Sequence, residues 1–261
     1  MNKKKNLEII QNYQKEVILL GQVGGLLDWD LQTYMPKKAA ESRAEQSALV
    51  SSLLHQKMIS DEFFKAVEEL KKENLDQRTK RLIEKLDKEL SKSRKLPASF
   101  VEELSKTTSL AFSGWLLART KNDFKIFKPH LEKVIVLKRK QADYLALSKV
   151  RYNTLLDDYE EGMTIEQLKP FFEELKKGLL LLLNKIKNSL FYKKQKVILT
   201  KGNFPKDIQI EIAKDVFRRI GLSEEFSRID FAEHPFETRL GVNDIRITTN
   251  VRADPLFSFS S

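Results

Sequence analysis

Apolar residues return every three or four positions along most of this chain, and few residues that break helices interrupt them. From residue 6 to about 28, Leu7, Ile10, Tyr13, Val17, Leu20 and Val23 form one helical face. Further on, Val101, Leu104, Thr108, Ala111 and Trp115 alternate three and four apart, a stripe suited to a long helical hairpin. Only nine glycines and seven prolines punctuate 261 residues, and Leu, Lys and Glu, all good helix formers, dominate. An all-β sandwich is excluded, and the chain is long enough for a sizeable core.

Punctuation places the remaining elements. Residues 27–36 lack periodicity and Pro36 disfavours helix at Met35, so a turn is expected there, followed by a helix from about 39 to 55. Ser60 caps a third helix to about 72, and a fourth runs from about 76 to 93 with Leu82, Ile83, Leu86 and Leu90 on its buried side. Pro97 suits the first turn of a fifth. A break over 122–127 precedes a sixth opened by Pro129, which carries Leu131, Ile135, Lys138 and Ala142 on one side to about 147. After a polar loop at 156–162, Thr164 and Gln167 make a capping box for a helix to about 190. Another helix spans 205–220 and ends at Gly221.

Beyond Gly221 the character changes, since Ile229-Asp230-Phe231 and Ile245-Arg246-Ile247-Thr248-Thr249 read as short strands. The expected fold class is mostly α with a small β-element near the C-terminal end. No linker divides the chain, so residues 1–261 read as one domain, helical to about 221 with the β-element over about 222–261. The apolar final stretch, 256–261, reads as cut rather than as a natural tail.

Charge and cysteine content narrow the function classes. Lys and Arg number 47 against 37 Asp and Glu, a net charge of +10. The basic clusters at 3–5, 92–95, 138–140 and 185–196 are spread over several helices without a nucleic-acid motif, so they read as solvated faces and nucleic acid is not an expected partner. No cysteine is present, which excludes disulfides, Cys-ligated zinc and a thiol nucleophile; the expected location is cytoplasmic. The longest leucine run, 179–183, is too short to span a bilayer.

Chemistry-bearing residues are sparse. None of the three histidines, His55, His130 and His234, has another histidine four residues on, so no His-Glu-x-x-His zinc motif is present. His55 and His130 read as solvated or helix-terminal. His234 precedes Pro235 between the two expected strands and is read either as a turn histidine held by one backbone hydrogen bond or as a catalytic group. Glu233 and Glu237 flank it as surface carboxylates. If Ile245 and Ile247 face the core, Asp244 and Arg246 share the opposite face, where the guanidinium either grips a ligand carboxylate or pairs with Asp244. The strand edge itself could take up an extended peptide.

Taken together, several segments resemble the M32 metallocarboxypeptidases, the Taq-type carboxypeptidase family. They are Asp28-Trp29-Asp30 to Met35-Pro36 with Arg43-Ala44-Glu45-Gln46, Asn122-Asp123-Phe124 with Phe127 and Pro129-His130-Leu131-Glu132, Leu155-Leu156-Asp157-Asp158-Tyr159-Glu160, and Phe204-Pro205 with Gln209. Most specific are His234-Pro235-Phe236 and Asp244-Ile245-Arg246-Ile247-Thr248, which resemble the family's His-Pro-Phe and Asp-x-Arg-x-Thr motifs in order and distance. The resemblance implies an elongated multi-helix, gluzincin-type peptidase with a deep groove, usually a homodimer, that removes C-terminal amino acids from peptides with one divalent metal, zinc or cobalt.

In that family the helix carrying His-Glu-x-x-His comes next, and this sequence ends at Ser261 in the stretch leading into it. The expectation is therefore an N-terminal part of such an enzyme, with no catalytic residue and no metal ligand of its own, inactive alone. The missing elements carry the chemistry: a metal lowers the pKa of bound water and polarises the scissile carbonyl, while glutamate moves the proton. By the same resemblance His234, Pro235, Phe236, Asp244, Arg246 and Thr248 are substrate-binding residues. His234 would donate near the scissile carbonyl or the C-terminal residue, with strand 244–249 along the peptide, and Arg246 would anchor substrate carboxylate or hold the strand through Asp244. A second reading is a non-catalytic helical module that binds peptide or RNA.

Overall fold

The computed structural model describes residues 3–194 and 205–251; Phe204 and the apolar stretch 256–261 lie outside them. In chain order the elements are α1 (Lys3–Gln32), a 3-10 turn (Lys37–Ala39), α2 (Ala40–Met58), α3 (Asp61–Leu70), α4 (Gln77–Ser93), α5 (Ala98–Lys121) and α6 (Phe124–Leu145). They continue with α7 (Arg151–Leu156), α8 (Ile165–Asn188), α9 (Leu190–Lys194), α10 (Lys206–Arg219), β1 (Ser227–Phe231), β2 (Glu237–Gly241) and β3 (Asp244–Thr249). The mostly helical class with a late β-element is as expected. Two compact units are formed, one by residues 3–140 with 217–250 and a second by the remaining described residues.

In the first unit the core lies where the N-terminal half of α1 meets α3 and α4. Ile10, Phe63, Val67, Leu70, Ile83 and Leu90 are each at most 2% exposed. Fully burying a side chain of this kind stabilises by about 1.5–3 kcal/mol. Tyr13 stacks on Phe63 with ring centroids 3.5 Å apart. Burial, reinforced by the charge of Glu89, pushes its hydroxyl pKa up to about 12. The expected cap is in place, the Ser60 hydroxyl accepting the Phe63 amide at 3.4 Å; Asp76, read as the first residue of its helix, proves to be a cap as well and accepts the Thr79 amide at 3.0 Å. Of the two readings for His55, helix-terminal holds, since it lies in the last turn of α2, and solvated does not. It is buried and donates through Nε2 to the Leu96 carbonyl at 2.9 Å, tying α2 to the loop before α5.

The turn expected over 27–36 shrinks to 33–36, because α1 runs on through Trp29 and Asp30. The Asp30 carbonyl accepts the amides of Thr33, Tyr34 and Met35, the last at 2.8 Å. Arg43 of α2 grips this end of the helix, with Nη2 2.7 Å from the Asp30 carboxylate and Nη1 donating to the Leu27 carbonyl at 2.8 Å. Val23, expected on the buried face, is 48% exposed. The packed side passes to Gly24, Gly25 and Trp29 instead. A Cβ on Gly25 would stand 3.0 Å from the Leu240 side chain, so glycine there lets β2 approach the helix.

Two further boundaries moved. Asn122 turns the chain at φ +50°, and the Asp123 carboxylate accepts the Lys125 amide at 3.0 Å, so α6 begins at Phe124 with Pro129 inside its second turn. The break is two residues long rather than six. On α5 the buried positions are Phe100, Ser109, Ala111, Gly114 and Ala118, while Thr108 of the expected stripe is exposed. Small side chains on this face allow close packing against Ala44 and Ala48 of α2. On α6 the buried positions are Leu137, Ala142 and Leu145, and Ile135 is 42% exposed.

In the second unit Asn153 organises the local structure: its Oδ1 accepts the Ile165 amide at 2.9 Å and its Nδ2 donates to Glu166 at 3.0 Å. The capping box forms as expected, with the Thr164 amide donating to Gln167 at 2.9 Å. The helix expected to 190 divides at Ser189, whose hydroxyl donates to the Ile186 carbonyl and accepts the Tyr192 amide that starts α9. Gly221, at φ +90°, ends α10 where a C-terminal glycine was expected.

The sheet has the order β1-β3-β2, with β1 parallel and β2 antiparallel to β3. β1 and β3 fall on the two segments read as strands; β2 was not foreseen.

Candidate functional site

Alternation on paired strands puts Asp244, Arg246 and Thr248 of β3 on one face of the sheet. Register places Arg228 beside Arg246 and Asp230 beside Thr248 on β1, and Thr238 beside Arg246 on β2. This is the face that meets α1. Trp29, 2% exposed, sets its ring 5.3 Å from that of Phe236, and the Arg246 guanidinium lies 5.7 Å from the same indole. The side chains opposite Ile245 and Ile247 therefore do not form a free surface. Arg246 is 18% exposed and Thr248 is 2% exposed, both enclosed between sheet and helix.

Thr248 joins the two most specific motifs. Its hydroxyl accepts the Phe236 amide at 2.7 Å and donates to the Phe236 carbonyl at 3.0 Å, and that carbonyl also receives the Thr248 amide at 2.8 Å. Arg246 engages Asp244 with two parallel hydrogen bonds, Nε to Oδ1 and Nη2 to Oδ2, each 2.8 Å. The hydrogen bond from Arg246 holds the Asp244 carboxyl below its ordinary pKa, partly opposed by desolvation. His234 sits on the exposed loop between β1 and β2, where Nδ1 donates to the Pro235 carbonyl at 3.0 Å. Phe236, Asp244, Arg246 and Thr248 are thus brought together around Trp29. His234 and Pro235 lead into the cluster from the loop.

Strand order corrects one expectation. β3 is the central strand, with both edges paired, so residues 244–249 cannot receive an added peptide strand through their backbone; only β1 and β2 have outer edges.

Trp29, Tyr34, Arg228 and Asp230 are given no role by the sequence reading. Arg228 grips the buried Asp230 through Nε at 2.6 Å, the Tyr34 hydroxyl donates to the same carboxylate, and Arg228 Nη2 donates to Tyr34 at 3.2 Å. The hydrogen bond to Asp230 is the main cause that raises the Tyr34 hydroxyl pKa above its ordinary value. Glu233, beside His234, is an ion-pair partner of Arg119 from α5 rather than a free surface carboxylate. The signal for Arg228 and Asp230 was present as an i, i+2 charge pair on a strand, the mirror of Asp244 and Arg246.

The acidic groups here are committed to cations: Asp244 to Arg246, Asp230 to Arg228, Glu233 to Arg119. Among the described residues no three His, Asp or Glu side chains come together to hold a metal ion. These residues do not fit a divalent metal centre. Nor is any described helix long and apolar enough to cross a membrane.

The family model of the carboxypeptidase Taq (M32) metallopeptidases matches residues 9–260. The chain belongs to this M32 family. It is 33% identical to thermostable carboxypeptidase 1 of Pyrococcus furiosus over 255 residues, covering 93% of this chain and 48% of that protein. It is 32% identical to thermostable carboxypeptidase 1 of Thermus thermophilus over 255 residues, 93% of this chain and 50% of the other. Among solved structures, BsuCP superposes with a TM-score of 0.87 at 28% identity, over 97% of this chain and 50% of that one. The M32 carboxypeptidase of Deinococcus radiodurans gives 0.76 at 29% identity, over 97% of this chain and 52% of that one. The chain spans about half the length of the curated relatives it matches. Membership of this metallopeptidase family implies peptide hydrolysis with a divalent metal at the level of the family.

Proposed function

We propose that these 261 residues supply the N-terminal, substrate-positioning half of a carboxypeptidase that releases C-terminal amino acids from peptides. The observation that carries the reading is the pair of hydrogen bonds between Thr248 and Phe236, which locks the His-Pro-Phe and Asp-x-Arg-x-Thr segments into one site. His234 is the donor toward the scissile carbonyl or the C-terminal residue; with Nδ1–H given to the Pro235 carbonyl its exposed Nε2 donates as the imidazolium, and the neutral ring donates there only by releasing Pro235. The two roles weighed for Arg246 combine. A guanidinium carries five N–H donors, and Asp244 occupies two, orienting the rest toward a terminal carboxylate. Pro235 sets the path of the loop, and Phe236 offers an apolar wall with Trp29.

In the same reading, the resemblance is what suggests zinc or cobalt as the metal of the complete enzyme and a homodimer as its assembly, and the absence of cysteine is what suggests the cytoplasm. The 261 residues contain no His-Glu-x-x-His, and no step of the chemistry is assigned to them. Incubated with zinc or cobalt and a blocked dipeptide, the isolated chain should show no turnover; metal-dependent hydrolysis would overturn this part of the reading. It should bind a peptide with a free C-terminal carboxylate more tightly than its amide, and His234→Ala should weaken that binding. Equal affinities for the two peptides, or an unaffected His234→Ala variant, would remove the positioning role.

A further inference from the structure

A cavity of about 360 Å³ lies away from the Trp29 cluster, among the end of α1, the start of α2, the C-terminal half of α5 and the second turn of α6. Its size falls at the lower end of the roughly 300–1,000 Å³ typical of small-molecule sites. The walls are mainly apolar, with Leu31 and Met35 on one side and Phe112, Leu116 and Leu117 on the other. Lys37, Ser113 and His130 interrupt them. Among the described residues neither the Lys37 ammonium, the Ser113 hydroxyl nor the His130 imidazole has a hydrogen-bond or ion-pair partner. No carboxylate lines the cavity, so its one formal charge is the positive one on Lys37.

The position of His130 is built into the helix pair. A Cβ on Gly114 would lie 2.5 Å from the ring, so only glycine at that point of α5 lets the imidazole lie there and reach the cavity wall. An apolar chamber with uncommitted donors and an unpaired cation matches a ligand with an apolar body and an anionic head. We propose that this cavity is a binding site for a small amphipathic monocarboxylate, its carboxylate on Lys37 with His130 and Ser113 as further donors, and its hydrocarbon part against Leu31, Phe112 and Leu116. The site is separate from the peptidase reading and stands or falls without it.

Octanoate is the probe, with about ten non-hydrogen atoms and an expected dissociation constant of roughly millimolar order. Calorimetric titration of the full chain should show saturable octanoate binding, and the ring proton resonances of His130 should shift along the same isotherm. Octan-1-ol should bind at least about tenfold more weakly, and Lys37→Met should lower octanoate affinity by a similar factor, the loss of one charge-assisted hydrogen bond. Lys37 is exposed, so the variant is expected to fold, and its helical circular dichroism checks this. Ala40→Phe, which fills the cavity, should abolish binding, whereas Leu180→Glu on the exposed α8 should leave it unchanged. Absence of saturable binding, equal affinity for the alcohol, or affinity untouched by Lys37→Met would overturn the proposal.

Discussion

Replacing Thr248 by valine isolates the link between the two motifs at the candidate site. The side chain is 2% exposed and valine has nearly its shape, so little cavity is created and the change is confined to the hydroxyl. Two hydrogen bonds disappear, but their losses are unequal. The Phe236 carbonyl keeps a donor in the Thr248 amide at 2.8 Å, whereas the Phe236 amide loses the acceptor that held it at 2.7 Å. A buried donor left unsatisfied costs about 1–3 kcal/mol. In a body of this size that corresponds to a melting temperature lower by roughly 2–12 °C. Thr248→Ser retains the hydroxyl and should lose only the smaller contribution of one methyl group, about 1 kcal/mol. Hydrogen exchange gives the most specific assay, because the Phe236 amide should exchange faster in Thr248→Val than in Thr248→Ser while amides of the α3–α4 core are unchanged. If both variants exchange and melt alike, Thr248 is not the link and the coupling of the motifs fails with it.

Other expectations come from the rest of the structure. Gly114→Ala should destabilise by about 1–3 kcal/mol despite the better helix propensity of alanine, since His130 must move, and Gly114→Ala with His130→Ala should recover most of the loss in a double-mutant melt. Asp244 has a folded pKa below its unfolded value, so its contribution is complete above the ordinary carboxylate range and is lost as pH falls through the lowered folded value; Asp244→Asn should flatten the acid limb of stability against pH below about pH 4. Tyr34 has a raised folded pKa, so its contribution is complete below about pH 10 and is lost as pH rises through the folded value; Tyr34→Phe should remove that alkaline limb in melts monitored at rising pH. Leu70→Ala, at a fully buried position, should cost about 2–5 kcal/mol in urea unfolding.

Local signals were legible and distant ones were not. Ser60, the Thr164 and Gln167 pair, and Gly221 act at helix ends within three or four residues of their partners, and each sits where the sequence placed it. The Asp30 end of α1 was misread because Arg43, 13 residues away on another helix, secures it. β2 was missed for a related reason: Glu237-Thr238-Arg239-Leu240-Gly241 is polar and ends in glycine, and it becomes a strand through pairing with β3 rather than through propensity. At the site, the two motifs were visible as short patterns. Their junction was not, because it depends on Trp29 meeting residues more than two hundred positions further along. Tyr34 and Asp230, 196 residues apart, are a second case.

The strand order β1-β3-β2 has a bearing on how the chain is made. The segment that joins the other two strands is the last of the three to be synthesised, so neither can enter the sheet until residues 244–249 have emerged from the ribosome. Until then the indole-bearing side of the first helix stays wet while the α3–α4 core, assembled from nearby residues, has already had time to close. Nascent chains halted just short of residue 244 should therefore display that side to chaperones, and those released beyond 249 should conceal it.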